Sequence, residues 1–366
     1  MSVVLFLIVL AVLIISHEFG HFIAAKRSGV RVDEFAIGFP PKIYSWTRGE
    51  TKYSINLLPF GGYVKIFGED MNEEIPEGER GRSFSGKKRI VQAMIVLSGV
   101  FFNFVLAWFL LSAGFLMGMP MPLGAVPKGA VFTEMGLTVA GVMKNSPAER
   151  AGLSVGDKVT ALGTIYEKPK ELTPEKVREF IAAHSGEKIA IVYGERKGES
   201  KNAIVIPENG IVDGKSAIGV YFEMMGTVRL PIHLAIWEGA KETFKITEAT
   251  AVEISKLIKN AFIGEADISA LAGPIGIVSL VGAASHFGFA YLISFVALIS
   301  VNLGILNLIP FPALDGGRAL FIAIESVIRR PIPRGVSNTL NFIGFALLIA
   351  LMLVVTYQDI ARILVK

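Results

Sequence analysis

The residues best placed to do chemistry lie near the N-terminus. His17-Glu18-Phe19-Gly20-His21 reads H-E-x-x-H. On a helix, positions i and i+4 share one face, so both imidazoles can reach one ion, and Glu18 beside them can take a proton from a water held by that ion. Residues 1–25 carry no other ionisable side chain. Three polar groups in so apolar a stretch cost several kcal/mol if they face lipid, so they turn inward and need a partner. A metal ion supplies one; an inward polar cluster that merely helps helices pack is the plainer alternative.

Zinc held by two histidines takes a third protein ligand and keeps a position open. The chain has no cysteine, which excludes thiolate ligands, iron–sulfur clusters, disulfides and a cysteine nucleophile. The best remaining ligand is an acid beside a membrane segment. The run 268–314 has no Asp, Glu, Lys or Arg and ends at Asp315, within Asn307-Leu-Ile-Pro310-Phe-Pro312-Ala-Leu-Asp315-Gly316-Gly317-Arg318. The prolines end regular helix there and the glycines allow tight turns. Irregular backbone at membrane depth survives only when buried in protein or lining a wet cavity, which is where Asp315 is expected. The alternative role for Asp315 is a helix cap.

Several elements must position these groups. The 366 residues are 52% hydrophobic and 19% charged, the balance of a polytopic membrane protein with room for one soluble domain. A net charge of +4 without a long basic run gives no case for nucleic-acid binding. Crossing the bilayer takes ~20 apolar residues, which places spanning helices near 2–25, 90–117, 288–309 and 338–357. The first lacks a basic n-region and an A-x-A site and reads as a retained span rather than a cleaved signal. Lys26, Arg27, Arg31, Lys87, Lys88 and Arg89, and then Arg318, Arg329, Arg330 and Arg334, put segments 26–89 and 313–337 on the cytoplasmic side. Residues 118–287 and both termini then lie outside.

Within the outer segment, β-rich runs fall at Thr138–Met143, Lys158–Leu162, Lys188–Tyr193, Asn202–Ile206 and Ser216–Phe222, with a helix near Pro174–His184. Asn145-Ser-Pro-Ala-Glu-Arg-Ala-Gly-Leu153, followed by Val155-Gly156-Asp157, resembles a PDZ domain of the bacterial protease type, a module that binds extended peptides or chain ends by strand addition. Trp237, Ala240, Phe244, Ala251, Ile254 and Ile258 form the apolar side of an amphipathic helix, which either lies on the membrane surface or packs as an ordinary brace. His184, His233 and His286 have no metal-like partners nearby in sequence and read as surface or interfacial residues. Asn103, four residues after Gly99, permits close helix approach and reads as a packing residue against the first helix more than a catalytic one.

H-E-F-G-H in a first membrane helix, with N-x-x-P-x-P-x-L-D-G-G in a later one, resembles the site-2 protease family of intramembrane zinc metalloproteases (peptidase family M50), of the bacterial regulator-of-sigma-E protease type. Ile37-Gly38-Phe39-Pro40-Pro41, Leu57-Leu58-Pro59-Phe60-Gly61-Gly62-Tyr63-Val64-Lys65 and Leu271-Ala272-Gly273-Pro274-Ile275-Gly276 extend the similarity along nearly the whole chain. The resemblance implies that His17, His21 and Asp315 hold Zn2+, that Glu18 is the catalytic acid/base, and that Asn307, with Pro310 close by, contacts substrate backbone. Two departures stand out: Pro40 where the family often has glycine, which affects the local loop, and Gly99-Val100 where the family often has Gly-Pro.

The expected fold is therefore a polytopic α-helical membrane protein of four transmembrane helices, with a membrane-associated β-hairpin and one inserted extracytoplasmic PDZ domain (α+β). Its parts are residues 1–117, with the hairpin over about 42–58; a PDZ domain over 124–226; an amphipathic helix over 231–266; and a C-terminal membrane part over 267–366. The expected function is zinc-dependent endopeptidase cleavage within the bilayer of the bacterial inner membrane. Its expected substrates are single-pass membrane proteins (anti-sigma-factor-like proteins) and signal-peptide remnants, with a peptide or chain end bound at the PDZ domain. An unwound substrate helix needs new backbone partners; alternation of Tyr53, Ile55 and Leu57 with Lys52, Ser54 and Asn56 marks a hairpin that either supplies them, with Tyr53 and Ile55 at the substrate, or only covers the cytoplasmic mouth. The alternatives are an ion-coupled transporter that uses the same four side chains as a relay, and an inactive PDZ-presenting membrane scaffold.

Overall fold

The computed structural model describes residues 2–70, 75–194, 200–212, 215–265 and 272–364. Leu271 of the Leu271–Gly276 motif lies outside them, as does residue 266 at the end of the expected amphipathic helix. In chain order the elements begin with α1 (Ser2–Arg27), β1 (Val32–Arg48), β2 (Thr51–Ile66) and α2 (Arg89–Met117). Then come β3 (Met119–Pro122), β4 (Val131–Val142), α3 (Pro147–Arg150), β5 (Lys158–Gly163), α4 (Pro174–Ala183), β6 (Ile189–Gly194), β7 (Lys201–Val205), β8 (Glu208–Val212), β9 (Lys215–Ala217) and β10 (Val220–Arg229). Helices close the chain: α5 (Ile232–Phe262), α6 (Pro274–His286), α7 (Phe289–Leu308), α8 (Asp315–Ile328) and α9 (Arg334–Leu364). Two compact units contain them, one of Met1–Leu111, Gly239–Ser285 and Ile293–Lys366, the other of Ser112–Glu238 and His286–Leu292.

Among the described residues, α1, α2, α7 and the Gly335–Ala361 stretch of α9 are long and apolar enough to cross a membrane. In the first unit α1 and α2 cross closely because small residues meet there. A Cβ on Gly20 would collide with the Ser98 carbonyl, and one on Gly99 with the His21 ring. Ser300 of α7 donates to the Asn103 carbonyl of α2 at 2.8 Å. At one end of these helices Ala25, Val30, Val32, Ile66, Ile95 and Ile322 form a buried cluster joining α1, the sheet, α2 and α8.

The hairpin is longer than expected and more folded. Residues 34–37 pair twice: antiparallel with 65–62, and with 52–55 with both numbers rising. Residues 42–48 pair antiparallel with 56–51. The two long ribbons therefore make four short strands, in the order 42–48, 51–56, 32–37, 62–66. Their corners lie at Gly38–Pro41 and Pro59–Gly61, where glycine and proline interrupt the pleat. The turn at Gly49-Glu50 is tied down by Lys26 at 2.9 Å and by Arg82. These two cations hold the Glu50 carboxyl below its usual range.

In the second unit a six-stranded antiparallel sheet runs β3-β10-β4-β5-β6-β7. Leu137, Val139, Val159, Val177, Ile181, Ile189 and Ile191 are buried between the sheet and α4. Ser146 caps α3 by accepting from Glu149 N–H at 3.3 Å, and the Glu149 carboxylate accepts from Asn145 N–H at 2.7 Å. Ser146 is thus the N-cap, Glu149 ties back the residue before it, and Pro147 takes the first helical position. β3 carries Pro120 and Pro122, tolerated because the strand is an edge.

Candidate metal centre

His17 and His21 lie one turn apart in α1, with Nε2 atoms 3.2 Å from each other. Asp315 opens α8 and brings Oδ2 to 3.0 Å from His17 Nε2 and 3.4 Å from His21 Nε2. The three sites singled out as metal ligands thus converge, although almost three hundred positions separate the acid from the histidines.

The outer nitrogens decide what faces inward. His21 Nδ1 lies 2.9 Å from the Ile95 carbonyl. A carbonyl only accepts, so Nδ1 carries the proton and Nε2 a lone pair. His17 Nδ1 lies 3.0 Å from the Asn103 amide, whose Oδ1 is otherwise buried without a partner. Amide oxygen and nitrogen are assigned from the hydrogen-bond network. With Oδ1 turned to accept from His17 Nδ1–H, His17 Nε2 also becomes a lone pair. Asp315 Oδ2 is itself buried with no hydrogen-bond donor. A proton bonds one pair among these three atoms; a cation satisfies all three. Their separations of 3.0, 3.2 and 3.4 Å lie close to the edges, about 3.3–3.6 Å, of a tetrahedron with bonds of ~2.0–2.2 Å, and two imidazoles with a carboxylate suit zinc. The residues present therefore fit Zn2+, with a fourth position left to water or substrate.

Glu18 is not part of the cluster but adjoins it. The edge segment 62–66 passes beside α1 here. A Cβ on Gly62 would lie 2.8 Å from Ile14 and 3.5 Å from the Glu18 side chain, so the glycine backbone comes close to the acid. Tyr53 and Ile55 are placed differently from expectation. Both lie on the interior strand 51–56, whose backbone is paired on both sides, and Tyr53 stacks on Trp46 with ring centroids 5.4 Å apart. Neither offers a free edge; among the described residues, 62–66 pairs on one side only. The alternation around Tyr53 located a strand but could not tell its rank in the sheet. Asn307 stands partly buried in the last turn of α7, and Pro310 is exposed in the loop leading to Asp315.

Asn103 makes a contact at the cluster that its spacing alone does not reveal. It does pack at the helix junction, but its side chain also holds the His17 ring. A polar residue mid-span, four after a glycine, was the available signal. Outer-shell partners of metal-bound histidines matter to affinity by about 10–100-fold. Asn103→Leu is expected to weaken zinc binding by that amount in a chelator competition, and Asn103→Asp, which keeps an acceptor oxygen, to restore most of it. His184 is held locally, with Nδ1 donating to the Phe180 carbonyl at 2.8 Å and Nε2 3.5 Å from Glu167.

A family model described as peptidase family M50 matches residues 5–351. A zinc metalloprotease RasP of Geobacillus kaustophilus is 32% identical, covering 99% of this chain and 98% of the relative. The regulator of sigma-W protease RasP of Bacillus subtilis is 30% identical over 99% of both chains. The regulator of sigma E protease of Haemophilus influenzae is 27% identical over 98% of both.

Proposed function

Since the chain belongs to peptidase family M50, we propose that its zinc endopeptidase chemistry is aimed at the transmembrane segments of single-pass membrane proteins, anti-sigma-factor-like proteins and signal-peptide remnants among them. Membership makes the chain a zinc metalloendopeptidase and displaces the transporter alternative; an intact Glu18 beside the cluster speaks against an inactive scaffold. The observation that carries the intramembrane reading is the convergence of His17, His21 and Asp315 on a helix that is itself long enough to cross a bilayer.

His17, His21 and Asp315 would hold Zn2+, which would supply a water acidified toward pKa ~7 and a Lewis acid for the scissile carbonyl. Glu18 takes the proton of the attacking water on its carboxylate and passes it to the nitrogen of the departing amine. Asn103 and the Ile95 carbonyl keep both imidazoles presenting Nε2. The substrate must arrive extended, because a helical backbone hides its carbonyls. The edge 62–66 beside Glu18 is the strand that gives the unwound segment hydrogen-bond partners, in place of Tyr53 and Ile55. Asn307 and Pro310, on the segment entering Asp315, flank the same backbone.

His21 lies six residues before Arg27, or about 9 Å along the helix. With the basic segments 26–89 and 313–337 at the cytoplasmic face of the inner membrane, this sets the site in the cytoplasmic half of the bilayer. The β-rich unit, as a PDZ domain outside, binds a peptide or chain end and admits substrates already trimmed there.

The test is a purified protein in liposomes with a single-pass substrate. Expected are fragments whose new ends map inside the substrate's membrane segment, loss of cleavage with 1,10-phenanthroline, and recovery on adding Zn2+. Cleavage confined to soluble loops, or indifferent to metal removal, would overturn the reading.

A further inference from the structure

A polar cavity of 1270 Å³ opens beside Asp315, and part of its wall is the N-terminal stretch of α9, through Ser337, Asn338, Asn341 and Phe345. Two amides in a helix apolar enough to span a membrane call for a reason. Asn341 has one. Its Oδ1 accepts from the Ala313 N–H at 3.2 Å.

That bond matters because of where Ala313 sits. The loop 309–314 ends two residues after Pro312 and delivers Asp315. Ala313 has φ 74°, a left-handed conformation that a residue with a Cβ adopts only when its surroundings impose it. Pro310 and Pro312 have no N–H. The other loop donors are satisfied from within the same stretch: Ile309 by Leu306, Phe311 by Ile309, and Leu314 by Phe311. Among the described residues, Ala313 is the loop position whose N–H is held by a side chain of α9. Gly344, three residues on and so on the same face of α9, comes so close that a Cβ there would lie 2.5 Å from the Pro312 carbonyl oxygen. Two neighbouring points on α9 thus grip two consecutive loop residues immediately before the carboxylate.

We propose that Asn341 is a positioning residue: its side-chain oxygen, with the close approach at Gly344, holds the Ala313 backbone in the conformation that aims Asp315 at His17 and His21. The inference rests on Asp315 being a zinc ligand, so Asp315→Ala is measured alongside. Asn341 touches neither the metal nor the substrate and acts only through the loop.

The experiment uses the full chain in detergent, with Zn2+ affinity from chelator competition and the visible spectrum of the Co2+-substituted protein. Asn341→Leu is expected to weaken zinc binding about 10–100-fold, as removal of an outer-shell partner does, and to shift the Co2+ bands. Asn341→Asp, which keeps an acceptor oxygen, should stay close to wild type in both. Gly344→Ala, which pushes Pro312 aside, should behave like the leucine variant, while Phe342→Leu on another face should not. Wild-type affinity and spectrum in Asn341→Leu would overturn the proposal. So would an aspartate variant as impaired as the leucine one, which would indicate packing alone. Undiminished zinc binding in Asp315→Ala would remove the site reading itself and the proposal with it.

Discussion

Glu18→Gln retains one zinc per chain and loses cleavage by a factor of at least ~10²–10⁴, the range that a positioned acid–base group contributes. The carboxamide matches the carboxylate in size, so α1 and its contact with Gly62 are undisturbed. The three atoms that fit the ion belong to His17, His21 and Asp315, so metal binding has no reason to fall. What is lost is an oxygen that accepts a proton from water and returns it to nitrogen. The check pairs metal analysis with cleavage of a single-pass substrate on the same preparation. Activity within tenfold of wild type would place the base elsewhere. A preparation empty of zinc would make Glu18 a ligand rather than a proton carrier.

The cluster of His17, His21 and Asp315 was legible because its spacing is local or punctuated. His17 and His21 share a helix face by spacing alone, and Asp315 ends a long uncharged run next to prolines and paired glycines. The helices and the β runs were legible for the same kind of reason, since length and period are properties of short windows. Topology was not. Alternation at 52–57 marks a strand, but nothing local says that 32–37 pairs with it on one side and with 62–66 on the other. The hairpin therefore came out too short, and the rank of Tyr53 and Ile55 on an interior strand was not readable. α6, a short apolar helix, was hidden in the same uncharged run as α7.

The apolar stripe of α5 reads either as a face laid on the membrane surface or as a packing brace, and the exposure of its large side chains favours the first. In the structure Trp237 is 60% and Phe244 70% exposed, while Thr243 is buried and Thr250 reaches Asn302 at 3.2 Å. Where lipid surrounds a helix, large apolar side chains gain nothing by turning inward, and small or hydroxyl residues mark the interface. Gly20, Gly99, Ser300 and Asn103 follow the same rule around the metal centre. The spacing of Gly99 and Asn103 gave the close approach to α1; it did not give the contact with His17.

Gly99→Ala turns that rule into the second large effect. One methyl group at this position would overlap His21 Nε2 and come within 2.8 Å of His17 Cε1. The rings cannot swing away freely, because His21 is held by the Ile95 carbonyl and His17 by Asn103. The helices cannot slide closer elsewhere, since Gly20 already abuts the Ser98 backbone. Either the imidazoles leave their converging arrangement or α1 and α2 separate, and both outcomes dismantle the site. Zinc affinity is expected to fall by about 10²-fold or more, beyond the range for an outer-shell loss, and cleavage to fall with it. Helix propensity moves in the opposite direction, because alanine in a helix interior is favoured over glycine by ~0.8–1.0 kcal/mol. Circular dichroism should therefore show a fully helical protein that no longer holds its metal. Gly335→Ala, at a position with open space around it, is the matched control and should change neither property. Wild-type zinc affinity in Gly99→Ala would mean that the two histidines do not face α2 as closely as the crossing at Gly20 and Gly99 requires.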